Sequence, residues 1–219
     1  MSAVSSGDAA ARGITAQVPS PPEGVKTQLL VVTKDEHIGS NPLRRLLECE
    51  GAIPKGRFDV HVGTKLEDFP TEVLNSAEGD PVALLWWFGD PNLLGEILRT
   101  ECAKPRVVWV HSGAAGVEHI LTQKEILQNA IPLTNAKGAF SASLGEWAIF
   151  GCMWFAKKVN AMRRSQAAGK WMRDTVGMLQ GKTMSIVGYG DIGRACAVRA
   201  KALGMRVVAL RRNPQVWKR

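Results

Sequence analysis

The sequence predicts an α/β protein in two parts, a helix-covered parallel sheet followed by a shorter strand–turn–helix–strand unit. Two observations carry the first part. Between Gln28 and Thr134, apolar runs of strand length alternate with stretches of helical pattern, the order that builds a parallel sheet. Several runs are apolar at successive positions, which marks strands buried on both faces. A third observation carries the second part: from Thr183 to Leu210 an apolar run, three closely spaced glycines, a helical stretch and another apolar run follow without a break.

Taken in order, residues 1–26 are rich in Ala, Ser, Gly and Pro, lack apolar periodicity and are expected to be disordered. Leu29 to Val32 is the first strand. Asn41 to Glu50 reads as a helix, with Asn41 as N-cap and Pro42 at the first helical position. Phe58 to Val62 is the second strand, and Leu66 to Asn75 is helical or irregular. Val82 to Phe88 is the third strand, closed by Gly89-Asp90-Pro91-Asn92, and Leu93 to Cys102 is a helix. Arg106 to His111 is the fourth strand, followed by the loop Ser112 to Val117. Lys124 to Asn129 is a short helix, and Ile131 to Thr134 a short strand. Ser141 to Met162 reads as one long helix with Ser143 and Glu146 at capping-box spacing. Gln166 to Gln180 is a polar link. Met184 to Val187, Ile192 to Leu203 and Arg206 to Leu210 complete the chain as strand, helix and strand, with a domain boundary expected near residues 140–165.

Composition narrows the function classes. No apolar run is long enough to span a membrane. Four scattered cysteines (Cys49, Cys102, Cys152, Cys196) form no C-x-x-C pair and have no histidine at metal-ligand spacing, so no metal site is expected. Reduced thiols and the lack of a secretory signal point to the cytoplasm. An organellar transit peptide fits poorly, with Arg12 the sole basic residue before Lys26. The net charge of +8 comes from dispersed doublets such as Arg44-Arg45 and Arg163-Arg164. No basic stripe interleaves with stacking aromatics, so nucleic acid is not an expected partner.

The glycine turn carries the chemistry. Gly188 permits a tight turn, Gly190 lets the backbone approach a pyrophosphate, and Gly193 allows close helix–strand packing. The helix that follows points free N–H groups and the positive end of its dipole at the phosphates. An ordinary βα turn is the alternative.

Several stretches together resemble the D-isomer-specific 2-hydroxyacid dehydrogenase family. Val107-Val-Trp-Val-His-Ser-Gly-Ala-Ala-Gly-Val-Glu118 is similar to its substrate-domain strand and A-G-V-[DE] loop. Asn135-Ala-Lys-Gly138 and Ser141 to Glu146 are similar to its N-x-x-G…A-E segment and interdomain helix. Gly169-Lys-Trp171 and Leu179 to Thr183 are similar to its link into the glycine motif, and the likeness runs from about residue 28 to 212. The resemblance implies a flavodoxin-like substrate domain over 27–140, an interdomain helix over 141–165, and over 166–219 the first half of a Rossmann dinucleotide-binding domain. It implies hydride transfer between C4 of a nicotinamide and the carbonyl carbon of a short 2-keto acid. Gly188, Gly190 and Gly193 then hold the pyrophosphate, with Tyr189, Asp191 and Ile192 adding backbone N–H groups and shape. Ala115 and Gly116 match the loop whose amides receive the substrate carboxylate, a flexible surface turn being the alternative. Relatives tend to dimerise through the nucleotide domain, so the resemblance implies a homodimer through that domain once it is completed, and the sequence does not set the oligomeric state.

Two departures qualify this. Where an acidic residue would hold the ribose hydroxyls of NAD, this chain has Arg211 and then Arg212. Guanidinium groups fork onto a 2′-phosphate, so NADP(H) is expected in preference to NAD(H), two solvated arginines being the alternative. The family also draws an orienting Arg, a proton-donating His and a Glu from later in the nucleotide domain, and no residue here matches them. His111 and His119 lie near the substrate loop but off that position, and His37 and His61 have no partner suggested by sequence. No catalytic residue is assigned, and the chain is expected to be an incomplete enzyme, inactive by itself. The competing reading is a non-catalytic nucleotide- or carboxylate-binding module completed by a partner.

Overall fold

Thr27–Val32 (β1) buries five of its six residues, as a strand covered on both faces must. The computed structural model describes residues 25–34, 56–103 and 106–212, and the chain divides between Asn135 and Ala136 into two compact units. In the N-terminal unit, β1 is joined by Phe58–Gly63 (β2), Val82–Trp86 (β3), Val107–Ser112 (β4) and Leu133–Asn135 (β5). All pair in parallel in the order β2-β1-β3-β4-β5. This is the flavodoxin-like strand order, in which loops at the carboxyl ends of the strands form the binding edge.

The two faces of the sheet alternate along each strand. Leu30, Val32, Leu84, Trp86 and Val110 point to one side, where Leu94, Ile97, Ile120 and Ile126 close over them. Leu29, Val31, Ala83 and Leu85 point to the other, beside Phe58, Val62, Trp87 and Trp109. Each fully buried aliphatic side chain contributes about 1.5–3 kcal/mol relative to exposure. Trp86 and Trp87 are thus part of the apolar packing, on opposite faces.

Element ends moved where local chemistry overrode the apolar pattern. The third strand stops at Trp86 rather than Phe88: Trp87 N–H still donates to Val32 O (2.8 Å) as the last rung of the ladder, and Phe88 then leaves it with a left-handed backbone, φ 58°. The next helices are Thr71–Leu74 (α1) and Pro91–Ile97 (α2). α2 begins two residues before the expected Leu93, since Asp90 caps it by accepting from Asn92 N–H at 2.9 Å. It also ends early, giving way to a 3-10 turn at Glu101–Ala103. Lys124–Gln128 (α3) forms as expected. The expected helix over Asn41 to Glu50 lies outside the described residues, as does the N-terminal segment to residue 24.

In the C-terminal unit the expected single helix is two, Ser141–Ala156 (α4) and Val159–Ala167 (α5). Lys158 separates them in a left-handed conformation, φ 53°, where the apolar run of α4 gives way to the polar α5. The expected capping box is also absent: α4 starts at Ser141 behind Phe140 with no side-chain cap, so Ser143 lies inside the first turn. Thr183–Val187 (β6), Asp191–Ala202 (α6) and Arg206–Leu210 (β7) follow, with β6 and β7 parallel. Their core is Ile149, Leu179, Ala200 and Met205. α4 and α6 approach closely at Gly145, where a Cβ would stand 3.1 Å from the backbone and Cβ of Ala195.

Among the cysteines, Cys102 is fully buried, and burial pushes its thiol above the ordinary range. Cys196 is buried and Cys152 half-buried. No helix among the described residues is long and apolar enough to cross a membrane.

The two units differ in how much apolar surface they cover. Among the described residues the β6–β7 sheet has two strands, and Val187 and Leu210 are 84% and 67% exposed. A two-stranded sheet with one bare face is marginal in water. Urea titration of the whole chain, followed by hydrogen exchange, is expected to show residues 136–212 losing protection before the N-terminal sheet. A single cooperative transition across both regions would refute it.

Candidate functional site

Two loop systems carry the candidate site residues, one in each unit. In the C-terminal unit the turn begins where Gly188 N–H donates to Leu210 O at 2.9 Å, continuing the β6–β7 ladder by one residue. Gly188 then turns with φ 92°, in the left-handed region that favours glycine. At Gly193 a Cβ would overlap the Gly188 carbonyl oxygen and stand 3.2 Å from Ile186 Cγ2. That glycine therefore lets the first turn of α6 sit directly on the end of β6. By contrast, nothing lies within 4 Å of a Cβ placed on Gly188 or Gly190. The concave side of the turn is open.

That open side faces unused donors. No side chain caps α6, and its first backbone bond runs from Arg194 N–H to Gly190 O at 2.9 Å. The amides of Asp191, Ile192 and Gly193 precede this first closed turn, the position at which helices present N–H groups to anions. A dinucleotide pyrophosphate fits here: the backbone is bare over Gly188 and Gly190, and the helix dipole adds positive potential. Tyr189 is half-buried within the turn, whereas Asp191 and Ile192 are exposed. Arg211 and Arg212 are exposed and follow directly on Leu210, the residue bonded to Gly188. The parallel register, with Val187 opposite Leu210, brings both arginines out on the edge that holds the glycine turn.

In the N-terminal unit, the loop after β4 is tied down at its start and leaves its middle free. Gly113 N–H donates to Trp86 O at 2.9 Å, and Ala114 N–H to Ser112 Oγ at 3.2 Å. Asn135, the last residue of β5, donates from Nδ2 to Ala115 O at 2.7 Å. Val117 O accepts from Ile120 and Leu121, closing the far end. Ala115 and Gly116 are exposed, and their amides donate to no acceptor among the described residues. Paired amides of this kind bind anions. One charge opposes this: Glu118 Oε2 lies 2.7 Å from where a Gly116 Cβ would stand. A carboxylate can approach only with that side chain turned aside.

The histidines near this loop are held by their neighbours. His111 Nδ1 shares a 2.7 Å hydrogen bond with Thr134 Oγ1, which also accepts from Trp109 Nε1. Burial pushes the His111 imidazole below the ordinary histidine range, disfavouring its charged form. His119 packs against Trp86, ring centroids 4.3 Å apart. His61 Nε2 lies 2.8 Å from Gln28 Oε1, and His37 is outside the described residues. Among the described residues no group of His, Cys, Asp or Glu is arranged to hold a metal ion.

Residues 149–218 match the family model of the D-isomer specific 2-hydroxyacid dehydrogenase NAD-binding domain. Over these residues the chain belongs to the D-isomer-specific 2-hydroxyacid dehydrogenase family. It is 28% identical over 170 residues to a glyoxylate reductase of Thermococcus kodakarensis, covering 73% of this chain and 49% of that one. It is 32% identical over 171 residues to a hydroxypyruvate reductase of Blautia hydrogenotrophica, covering 74% and 51%. Among solved structures it is similar to a glycerate dehydrogenase related protein of Thermoplasma acidophilum, with 26% identity and a TM-score of 0.53. That match covers 85% of this chain and 54% of the other. The chain thus spans about half the length of these dehydrogenases. The glycine turn falls within the matched NAD-binding region, and the flavodoxin-like sheet with its 113–117 loop precedes it. Sequence reading missed Asn135 as a member of that loop. Its only sequence signal is a place in the N-x-x-G resemblance, because the bond that gives it a role crosses from β5 to a loop 20 residues earlier.

Proposed function

We propose that the protein is an NAD(P)-dependent oxidoreductase acting on a short 2-hydroxy or 2-keto acid, with NADPH as the preferred cofactor. The observation that supports this most is the open Gly188–Gly190 turn against the uncapped start of α6. Gly188, Gly190 and the amides of Asp191, Ile192 and Gly193 hold the pyrophosphate, with Tyr189 shaping the turn. Arg211 and Arg212 meet the 2′-phosphate, for which a carboxylate at this place would be repulsive. Ala115 and Gly116 receive the carboxylate of the acid. The chemistry supplied by a bound nicotinamide is hydride transfer to the carbonyl carbon. The relatives named glyoxylate reductase and hydroxypyruvate reductase suggest an acid of two or three carbons.

No residue of the chain is assigned to proton transfer. His111 is bonded to Thr134 Oγ1, and His119 is packed on the Trp86 indole. The 219-residue chain is therefore expected to bind without turnover. Fluorescence titration of its seven tryptophans should show micromolar NADPH binding, weaker NADH binding, and no loss of NADPH absorbance on adding glyoxylate. Failure to bind either nucleotide would overturn the cofactor assignment for this chain, and steady NADPH consumption would overturn its expected inactivity.

The exposed Val187, Val198 and Leu210 favour a second reading, in which a partner or second copy covers the β6–β7 sheet and the chain acts as a binding module. Light scattering with and without NADPH separates the two: a monomer that binds NADPH opposes the second reading.

A further inference from the structure

We propose that Asn135 is the positioning residue of the carboxylate loop, setting the direction and donor strength of the Gly116 amide. This rests on the carboxylate role proposed for Ala115 and Gly116. The peptide linking those two residues is planar and trans, so its C=O and N–H point in opposite directions. Asn135 Nδ2 holds that carbonyl oxygen at 2.7 Å from the end of β5. Gripping the oxygen on one side turns the Gly116 N–H to the other side, away from β5. The bond also polarises the peptide, making its N–H a better donor.

The surrounding ties explain why one side chain can do this. Gly113 and Ala114 spend their amides on Trp86 O and Ser112 Oγ. Val117 is fixed through its own carbonyl. The Ala115–Gly116 peptide lies between two anchored ends, and Asn135 is the side chain from another strand that bonds to it. Without that donor the peptide is able to flip, and a flipped peptide presents a carbonyl oxygen to the anion.

The test uses the full chain and oxamate, an unreactive analogue of a 2-keto acid. Amide NMR of Ala115 and Gly116 reports the loop, and calorimetry gives the affinity. In the unsubstituted protein both amides should shift on adding oxamate. Asn135→Ala should weaken oxamate binding about tenfold or more, with NADPH affinity unchanged because the glycine turn belongs to the other unit. Asn135→Asp keeps the shape and guards against a folding artefact. Its ionised form cannot donate to Ala115 O, but its protonated form can. Oxamate affinity of Asn135→Asp should therefore recover, relative to the unsubstituted protein, as pH falls into the carboxylate range, while oxamate itself stays ionised. Amides that respond in all three proteins with affinities within about twofold would overturn the role of Asn135 and leave the loop assignment standing. Amides that do not respond in the unsubstituted protein would overturn the loop assignment, and the positioning role with it.

Discussion

Replacing Gly190 by valine is expected to leave the C-terminal unit folded and to weaken NADPH binding about a hundredfold, on the order of 3 kcal/mol. The two halves of this expectation have separate physical grounds. Gly190 has φ −87° and ψ −157°, an extended conformation open to any residue, and a Cβ there meets nothing within 4 Å. Stability should change by no more than about 0.5 kcal/mol. The same empty space is where a pyrophosphate would approach the backbone, so a branched side chain fills the site without disturbing the fold. Gly193→Ala makes the contrast. Its Cβ would overlap the Gly188 carbonyl, forcing α6 off β6 at a cost of about 1–3 kcal/mol. Thermal unfolding and NADPH titration of both variants test the pair. If Gly190→Val binds NADPH like the parent, the pyrophosphate does not lie over this turn.

Arg211→Asp should invert the cofactor preference. Gly188 N–H is bonded to Leu210 O, so the residue after Leu210 emerges beside the turn. A charge-assisted hydrogen bond contributes about 1.5–3 kcal/mol. Losing it and adding a repelling carboxylate should lower NADPH affinity by about a hundredfold, while the carboxylate gains ribose hydroxyls in NADH. The NADPH affinity of the parent should also fall with added salt more steeply than its NADH affinity. Unchanged discrimination in the variant would mean that Arg211 is a solvated strand end and that the 2′-phosphate is read elsewhere.

How far these expectations were legible differs between the two loops. The glycine turn is a local device: its glycines, the preceding strand and the following helix occupy one continuous stretch, and each constraint acts over a few residues. Reading Thr183 to Leu210 therefore placed β6, α6 and β7 to within a residue or so of where they lie. The 113–117 loop is not local. Its geometry depends on Trp86 at the end of β3 and Asn135 at the end of β5, neither adjacent in sequence. Only sheet pairing brings them together.

The same contrast runs through the fold. By itself the sequence determined the α/β class, the strands buried on both faces, the glycine turn and the basic residues in place of an acid after β7. All are properties of composition and short-range order, where each residue type has a direct conformational or solvation cost. Tertiary structure alone decided the strand order β2-β1-β3-β4-β5. It also decided the break at Lys158 within the stretch expected as one helix, and the helix start at Ser141 without the capping box that Ser143 and Glu146 suggested. Pairing and packing balance many weak contacts between distant residues. Where that balance outweighs a local preference of about 1 kcal/mol, the local signal in the sequence does not show the outcome.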